Sequence, residues 1–223
     1  MTNVNLARSV RPLVTIASGV GLLLVAAFLV SNPPAAWEEA LFRALNDLPH
    51  SVEAGLWVLQ QMGSAIVLPF VAFLLWRVTR RWQPPVTLVA TGFLLGWLGA
   101  KVIKAMVGRG RPGAIMDDVI RGFDVPIAEV GFPSGHAVLA FTLVAAFFPY
   151  LGRKGRVMAV AVAVLVAMTR VYVGAHLPLD VIGGAGFGVA IGTLVTLVSG
   201  TRPTGTDSVA SPTIEGMPGV HKR

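Results

Sequence analysis

Two histidines in this sequence stand among residues suited to phosphoryl chemistry. His136 closes the run Pro133-Ser134-Gly135-His136, and His176 lies inside Arg170-Val171-Tyr172-Val173-Gly174-Ala175-His176-Leu177-Pro178-Leu179-Asp180. Asp180 follows His176 by four residues, which puts both on one face if the turn is helical. A carboxylate on one imidazole nitrogen fixes the tautomer and leaves the other nitrogen free to attack an electrophile. Taken alone, the pair reads equally well as a hydrogen bond that staples a helix end. Pro178 fits the first turn of a helix, where a missing N–H costs little. Ser134 is a good helix N-cap, and Gly135 lets backbone approach a ligand closely. A helix opening there presents free N–H groups and the positive end of its dipole, which together hold phosphate well. His136, just inside that turn, sits where a phosphoester leaving oxygen would reach it. The other two histidines, His50 and His221, read as ordinary loop and tail residues.

Cations accompany these imidazoles. Lys104, Arg109, Arg111 and Arg170 fall near the same predicted helix ends, and Lys101 and Lys104 lie within an apolar stretch. A base in a membrane segment is costly and by default pairs or snorkels to the interface. Snorkelling accounts for Lys101. For four bases converging on one face, an anionic ligand is the better account.

The elements that must position these groups are apolar. Hydrophobic residues make up 54% of the 223 and charged residues only 13%, against about a quarter charged in soluble domains. Six apolar segments are predicted as spanning helices: 12–31, 55–76, 84–107, 136–151, 157–170 and 181–199. The expected fold is all-α, an integral membrane six-helix bundle over residues 1–199. Segment 12–31 also has the look of a signal peptide, with Arg8 and Arg11 ahead of it. Its apolar run is long for that, and Asn32-Pro33-Pro34 offers no small-x-small cleavage site. Residues 200–223, rich in Ser, Thr, Pro and Gly, read as a disordered tail. With the N-terminus inside, the inner stretches hold eleven bases against two acids, and the outer ones seven against nine. The positive-inside rule then puts both termini in the cytoplasm and the histidines at the outer face. Stretch 32–54, with Trp37, Glu38, Glu39 and Phe42, is expected to include a short interfacial helix. Gln60 and Gln61 are exceptions to the apolar interior. Gly183, Gly184, Gly186, Gly188 and Gly192 in the last segment are expected to let a neighbouring helix pack close. The net charge of +7 includes no Lys/Arg run interleaved with aromatics, so no nucleic-acid partner is expected. The absence of cysteine removes disulfides, thiolate nucleophiles and Cys-based metal sites together.

Together the three stretches resemble the type 2 phosphatidic acid phosphatase superfamily, the lipid phosphate phosphatases. That family's pattern is Lys-x6-Arg-Pro, then Pro-Ser-Gly-His, then Ser-Arg-x5-His-x3-Asp. Here it falls on Lys104 to Arg111-Pro112, on Pro133 to His136, and on Arg170, His176 and Asp180, with Thr169 where the family usually has Ser. The resemblance implies that His176 attacks phosphorus to form a phosphohistidine, that Asp180 orients it, and that His136 protonates the departing lipid oxygen. It implies that Lys104, Arg111, Arg170, Ser134 and the Gly135 N–H hold the phosphoryl oxygens, with no metal and no other cofactor. Arg109 is not a motif position; it reads as a contact to a second phosphate or headgroup, or as a solvated loop residue. The expected partners are the bilayer and a phosphorylated lipid, undecaprenyl diphosphate slightly ahead of phosphatidylglycerophosphate, phosphatidic acid and lipid A phosphates. The alternatives are a phosphotransferase using the same histidine and a non-enzymatic anion transporter. A transporter would need ionisable groups near mid-membrane.

Overall fold

A computed structural model of the chain describes residues 3–49, 51, 53–79, 83–122, 125–126 and 130–199. Among them there are nine α-helices and no strand. They are α1 (Asn3–Leu29), α2 (Ala36–Asn46), α3 (Glu53–Gln61), α4 (Leu68–Thr79), α5 (Gln83–Val107), α6 (Pro112–Ile115), α7 (Gly135–Phe147), α8 (Arg153–Tyr172) and α9 (Pro178–Val198). The tail 200–223 with His221, and also His50, lie outside the described residues.

Four helices are long and apolar enough to cross a bilayer: Val10–Leu29 of α1, Val89–Val107 of α5, α8 and α9. The stretch Gly135–Tyr150 is apolar but shorter. At 1.5 Å per residue its 16 residues reach about 24 Å, so thinning or tilt must make up the rest of a hydrocarbon core about 30 Å thick. The predicted segment 55–76 is helical but not continuous. α3 and the segment Ala65–Leu74 meet at an angle of 59°. The break falls at Gly63, where the chain packs closely. A β-carbon there would lie 2.7 Å from Val166 Cγ1 and 2.9 Å from the His136 carbonyl oxygen, so the chain passes too close to α7 and α8 for any side chain. The outer surface is apolar, with Phe28, Phe70, Met106 and Val198 pointing outward, as a lipid-facing surface requires.

α9 is the centre of the bundle, packed along α7 and α1. Its glycines make this packing close, as expected from the sequence. A β-carbon at Gly184 would meet the Ser134 carbonyl oxygen at 2.7 Å, and at Gly188 and Gly192 it would strike the carbonyls of Val138 and Thr142. On the α1 side, Gly186 rests against Gly19. This seam holds the start of α7 against the start of α9, so the two histidine motifs share one end of the bundle.

The predicted interfacial helix is present as α2, but its role differs from that expectation. Glu38, Phe42 and Asn46, spaced by four, form a fully buried stripe, while Trp37 and Leu41 stay exposed. Phe42 enters an apolar cluster with Val171 and Leu177. Asn46 Nδ2 donates to the carbonyls of Ile120 (2.7 Å) and Tyr172 (2.8 Å), and its Oδ1 accepts from Ile120 N at 3.0 Å. α2 therefore lies against the ends of α8 and α9 and ties the stretch from Asp117 to Ile120 to them.

Candidate active site

The site is built where α5 and α8 end and α7 and α9 begin. Arg170, in the last turn of α8, accepts Ala175 N and His176 N on its backbone carbonyl (3.0 and 3.1 Å), which closes the turn and points His176 inward. Leu177 is extended and caps α9, Pro178 takes the first helical position as expected, and Asp180 is the third residue. His176 is thus in the turn ahead of the helix. Asp180 Oδ2 accepts from Leu177 N at 2.9 Å and faces His176 Nδ1 at 3.4 Å. One carboxylate both caps the helix and orients the imidazole.

Arg111 reaches the same ring from the other side. Its Nη1 donates to the Ala175 carbonyl at 2.9 Å and lies 3.5 Å from His176 Nε2. Lys104 donates from α5 to the carbonyls of Val130 (2.7 Å) and Gly131 (3.1 Å), and the Gly131 backbone also hydrogen-bonds the His176 ring. A β-carbon at Gly131 would sit 2.9 Å from Asp180 Oδ2, so only glycine lets this strand of backbone pass the carboxylate. Burial, followed by the charges of Arg111, Lys104 and Arg170, holds the His176 imidazole well below its ordinary titration range. It is therefore neutral at pH 7, the form in which a ring nitrogen is a nucleophile.

α7 supplies the second imidazole. Ser134 N donates to the Asp180 carbonyl at 2.9 Å, joining the two helix starts. Ser134 occupies the N-cap position, but its hydroxyl makes no capping bond; it is buried and has no hydrogen-bond partner among the described residues. A buried hydroxyl left in this state is unusual and points to a ligand group as its partner. Beside Gly135 an added β-carbon would meet open space. His136 lies within electrostatic reach of Arg170, His176 and Arg111. All eight predicted site residues thus gather at one end of the bundle. Lys104, Gly135 and His136 line a cavity of about 880 Å³ that continues between α5 and α7 past Gly96, Trp97 and Thr142. His176, Arg111, Arg170 and Ser134 lie behind them, each at most 6% exposed.

Three polar residues were misread or left without a role in the sequence. Arg109 is neither solvated nor positioned for a headgroup. It is fully buried, with Nη1 and Nη2 donating to Glu38 (3.0 and 2.5 Å) and Nη1 also to Asp180 Oδ1 at 3.0 Å. Glu38 belongs to the buried face of α2. Gln60 is buried on α3 and its Oε1 accepts a hydrogen bond from Arg170 Nη1. These pairings join residues 71 and 110 positions apart, so no local spacing announces them. The available signal was a carboxylate and an amide in line with Phe42 on an amphipathic helix. Lys101 behaves as expected: it is exposed, with Nζ 4.0 Å from the centre of the Trp97 ring.

The chain is similar to known proteins. The model of the PAP2 superfamily matches residues 82–203, a stretch that holds every motif from Lys104 to Asp180. A lipid A 1-phosphatase of Rhizobium johnstonii is 38% identical over 116 residues, 50% of this chain and 45% of that protein, so the chain spans about half the length of that relative. An undecaprenyl-diphosphatase of Sulfolobus acidocaldarius is 30% identical over 164 residues, 73% of this chain and 79% of that one. The fold is similar to the crystal structure of a transmembrane PAP2-type phosphatidylglycerolphosphate phosphatase from Bacillus subtilis, with a TM-score of 0.67 over 82% of this chain and 96% of that one at 23% identity. The family match covers more than half the chain, and the motifs inside it meet at one end of the bundle; the chain belongs to the PAP2 superfamily.

Proposed function

We propose that this chain is a membrane-embedded lipid phosphate phosphatase that works through a phosphohistidine on His176 without a metal. The observation that carries the reading is the meeting of two imidazoles, one carboxylate and three cations at one end of an apolar bundle. His176 Nε2 bonds to the terminal phosphorus as its bond to the leaving oxygen breaks, the bridging oxygen of a lipid diphosphate or the ester oxygen of a lipid monophosphate, and His136 gives that oxygen its proton. Water then cleaves the N–P bond, with His136 taking the proton from it. Asp180 holds the tautomer with Nε2 bare. Lys104, Arg111 and Arg170, with the Ser134 hydroxyl and the Gly135 N–H, hold the phosphoryl oxygens and the charge developing there. These cations supply the charge stabilisation that a divalent metal gives other phosphatases.

The substrate is a lipid whose phosphate enters beside His136 while its tail stays in the apolar part of the cavity. Undecaprenyl diphosphate is the first choice, supported by the relative of that activity whose length this chain largely covers. The termini are cytoplasmic and the site faces outward. The bases Arg77, Arg153, Lys154 and Arg156, at the opposite end of the bundle, support that orientation.

The test is phosphate release by purified protein from undecaprenyl diphosphate, phosphatidylglycerophosphate, phosphatidic acid and lipid A, with and without EDTA. Release that EDTA leaves unchanged and that His176→Ala abolishes is expected. Activity that survives His176→Ala, or that EDTA removes and magnesium restores, would overturn the reading.

A further inference from the structure

Neither residue of the buried pair Glu38–Arg109 is a fixed position of the motifs, Arg109 being one of the six variable residues between Lys104 and Arg111, and Glu38 lies outside the stretch matched by the family. Both side chains are fully buried. Arg109 donates two bonds to Glu38 in a fork and one to Asp180 Oδ1. Glu38 Oε1 also accepts from Leu179 N at 2.9 Å, one of the first-turn N–H groups that α9 itself leaves without a partner. The other oxygen of Asp180 faces His176 Nδ1. Four side chains thus run in series from α2 to the imidazole: Glu38, Arg109, Asp180, His176.

Charge explains why two carboxylates are needed. With Arg109 alone, the guanidinium would neutralise Asp180 and leave nothing for a histidine that gains positive charge. With Glu38 in the fork, the three groups carry a net single negative charge, and it lies beside the ring. The fork also fixes the guanidinium plane, and Arg109 then fixes the Asp180 carboxylate, which would otherwise rotate about its last bond.

We propose that Glu38 is a positioning residue for the phosphoryl-transfer reaction, acting through Arg109 to hold the Asp180 carboxylate and its charge on His176. α2 is on this account part of the catalytic apparatus, not a membrane anchor alone. The proposal rests on the phosphatase reading for its kinetic consequence, but the arrangement of the four groups is testable without it.

Two substitutions separate positioning from stapling. Glu38→Gln keeps the shape and an oxygen for Leu179 N, but removes the charge. Glu38→Asp keeps the charge and shortens the reach. A stapling role predicts that Gln is the milder change; the relay predicts that Asp is. On the best substrate of the panel, Glu38→Gln is expected to lower kcat by about ten- to a hundredfold, the scale of a slightly misplaced catalytic group, with KM little changed. In an Asp180→Asn background the same change is expected to have no further effect, since coupled residues are not additive. Glu39→Gln, on the exposed side of the same helix, is expected to match the parent protein. The independent readout is the ¹⁵N spectrum of histidine-labelled full-length protein in detergent, with the His176 signal assigned by its loss in His176→Gln. The parent is expected to show Nδ1 protonated and Nε2 bare, and Glu38→Gln a mixture of tautomers. If Glu38→Gln cannot be purified folded, Arg109→Lys, which keeps the cation but lacks the fork, carries the same comparison. An unchanged kcat together with an unchanged tautomer would overturn the proposal. Absence of phosphate release by the parent protein would sink the phosphatase reading instead, and the spectra would still decide the relay.

Discussion

At the scale of single residues, the side chains that gather at one end of the bundle were legible in the sequence, and those that hold them in place were not. His136, His176, Asp180 and the three motif cations announce themselves because their spacing follows helix starts and ends. Pro178 at the first position of α9 and Ser134 at the cap of α7 were read for the same local reason. Arg109 was misjudged because a guanidinium in a loop is usually solvated, and its burial depends on a carboxylate 71 residues away. Ser134 offers the cleanest residue-scale prediction. Its hydroxyl has no hydrogen-bond partner among the described residues, and in the proposed mechanism Ser134→Ala removes a donor to the bound phosphate. The expected outcome is a fall in kcat on the order of a hundredfold, as for other oxyanion donors, with the thermal midpoint unchanged. A loss of thermal stability that accounts for the whole loss of activity would contradict this role.

At the scale of elements, hydropathy located all six apolar segments but could not see where packing would bend one of them. Segment 55–76 is apolar apart from Gln60, Gln61 and Ser64, and it divides into α3 and α4 around Gly63, where the chain runs close against α7 and α8. The amphipathic pattern of α2 was visible, but the pattern alone does not tell whether the inner face meets lipid headgroups or protein. The glycines of α9 were rightly taken as packing residues. Their seam with α7 sets the distance between the two histidine motifs, because Gly184 lies against Ser134 itself. Gly188→Leu has no room against the Val138 carbonyl and is expected to cost about 1–3 kcal/mol, the usual penalty of overpacking. Thermal unfolding in detergent checks it. An unchanged midpoint would mean that the seam opens freely and does not fix the site.

At the scale of the whole molecule, apolar helices gather the two histidine motifs at one end of the bundle, away from Arg153, Lys154 and Arg156 at the start of α8. The chain has no cysteine, so single introduced thiols report their side of the membrane without background. Asp118, whose carbonyl accepts a hydrogen bond from Arg43 of α2, and Lys154, at the start of α8, are both exposed. In intact cells, a membrane-impermeant maleimide is expected to label Asp118→Cys and to label Lys154→Cys only after permeabilisation. The reverse pattern would place the site in the cytoplasm. Charge counting is what predicts this orientation, because the positive-inside rule needs only composition and segment ends, and the labelling pattern tests it.

The convergence of these scales on one phosphorus atom is tested most directly by trapping the phosphoenzyme. His136→Ala protein, mixed with the preferred lipid phosphate, quenched in base and digested, is expected to yield a phosphorylated peptide with the group on His176. The label should be stable to alkali, lost in acid, formed equally in EDTA and absent from His176→Ala. Phosphate found on another side chain, or turnover in His176→Ala equal to that of the parent protein, would contradict the account.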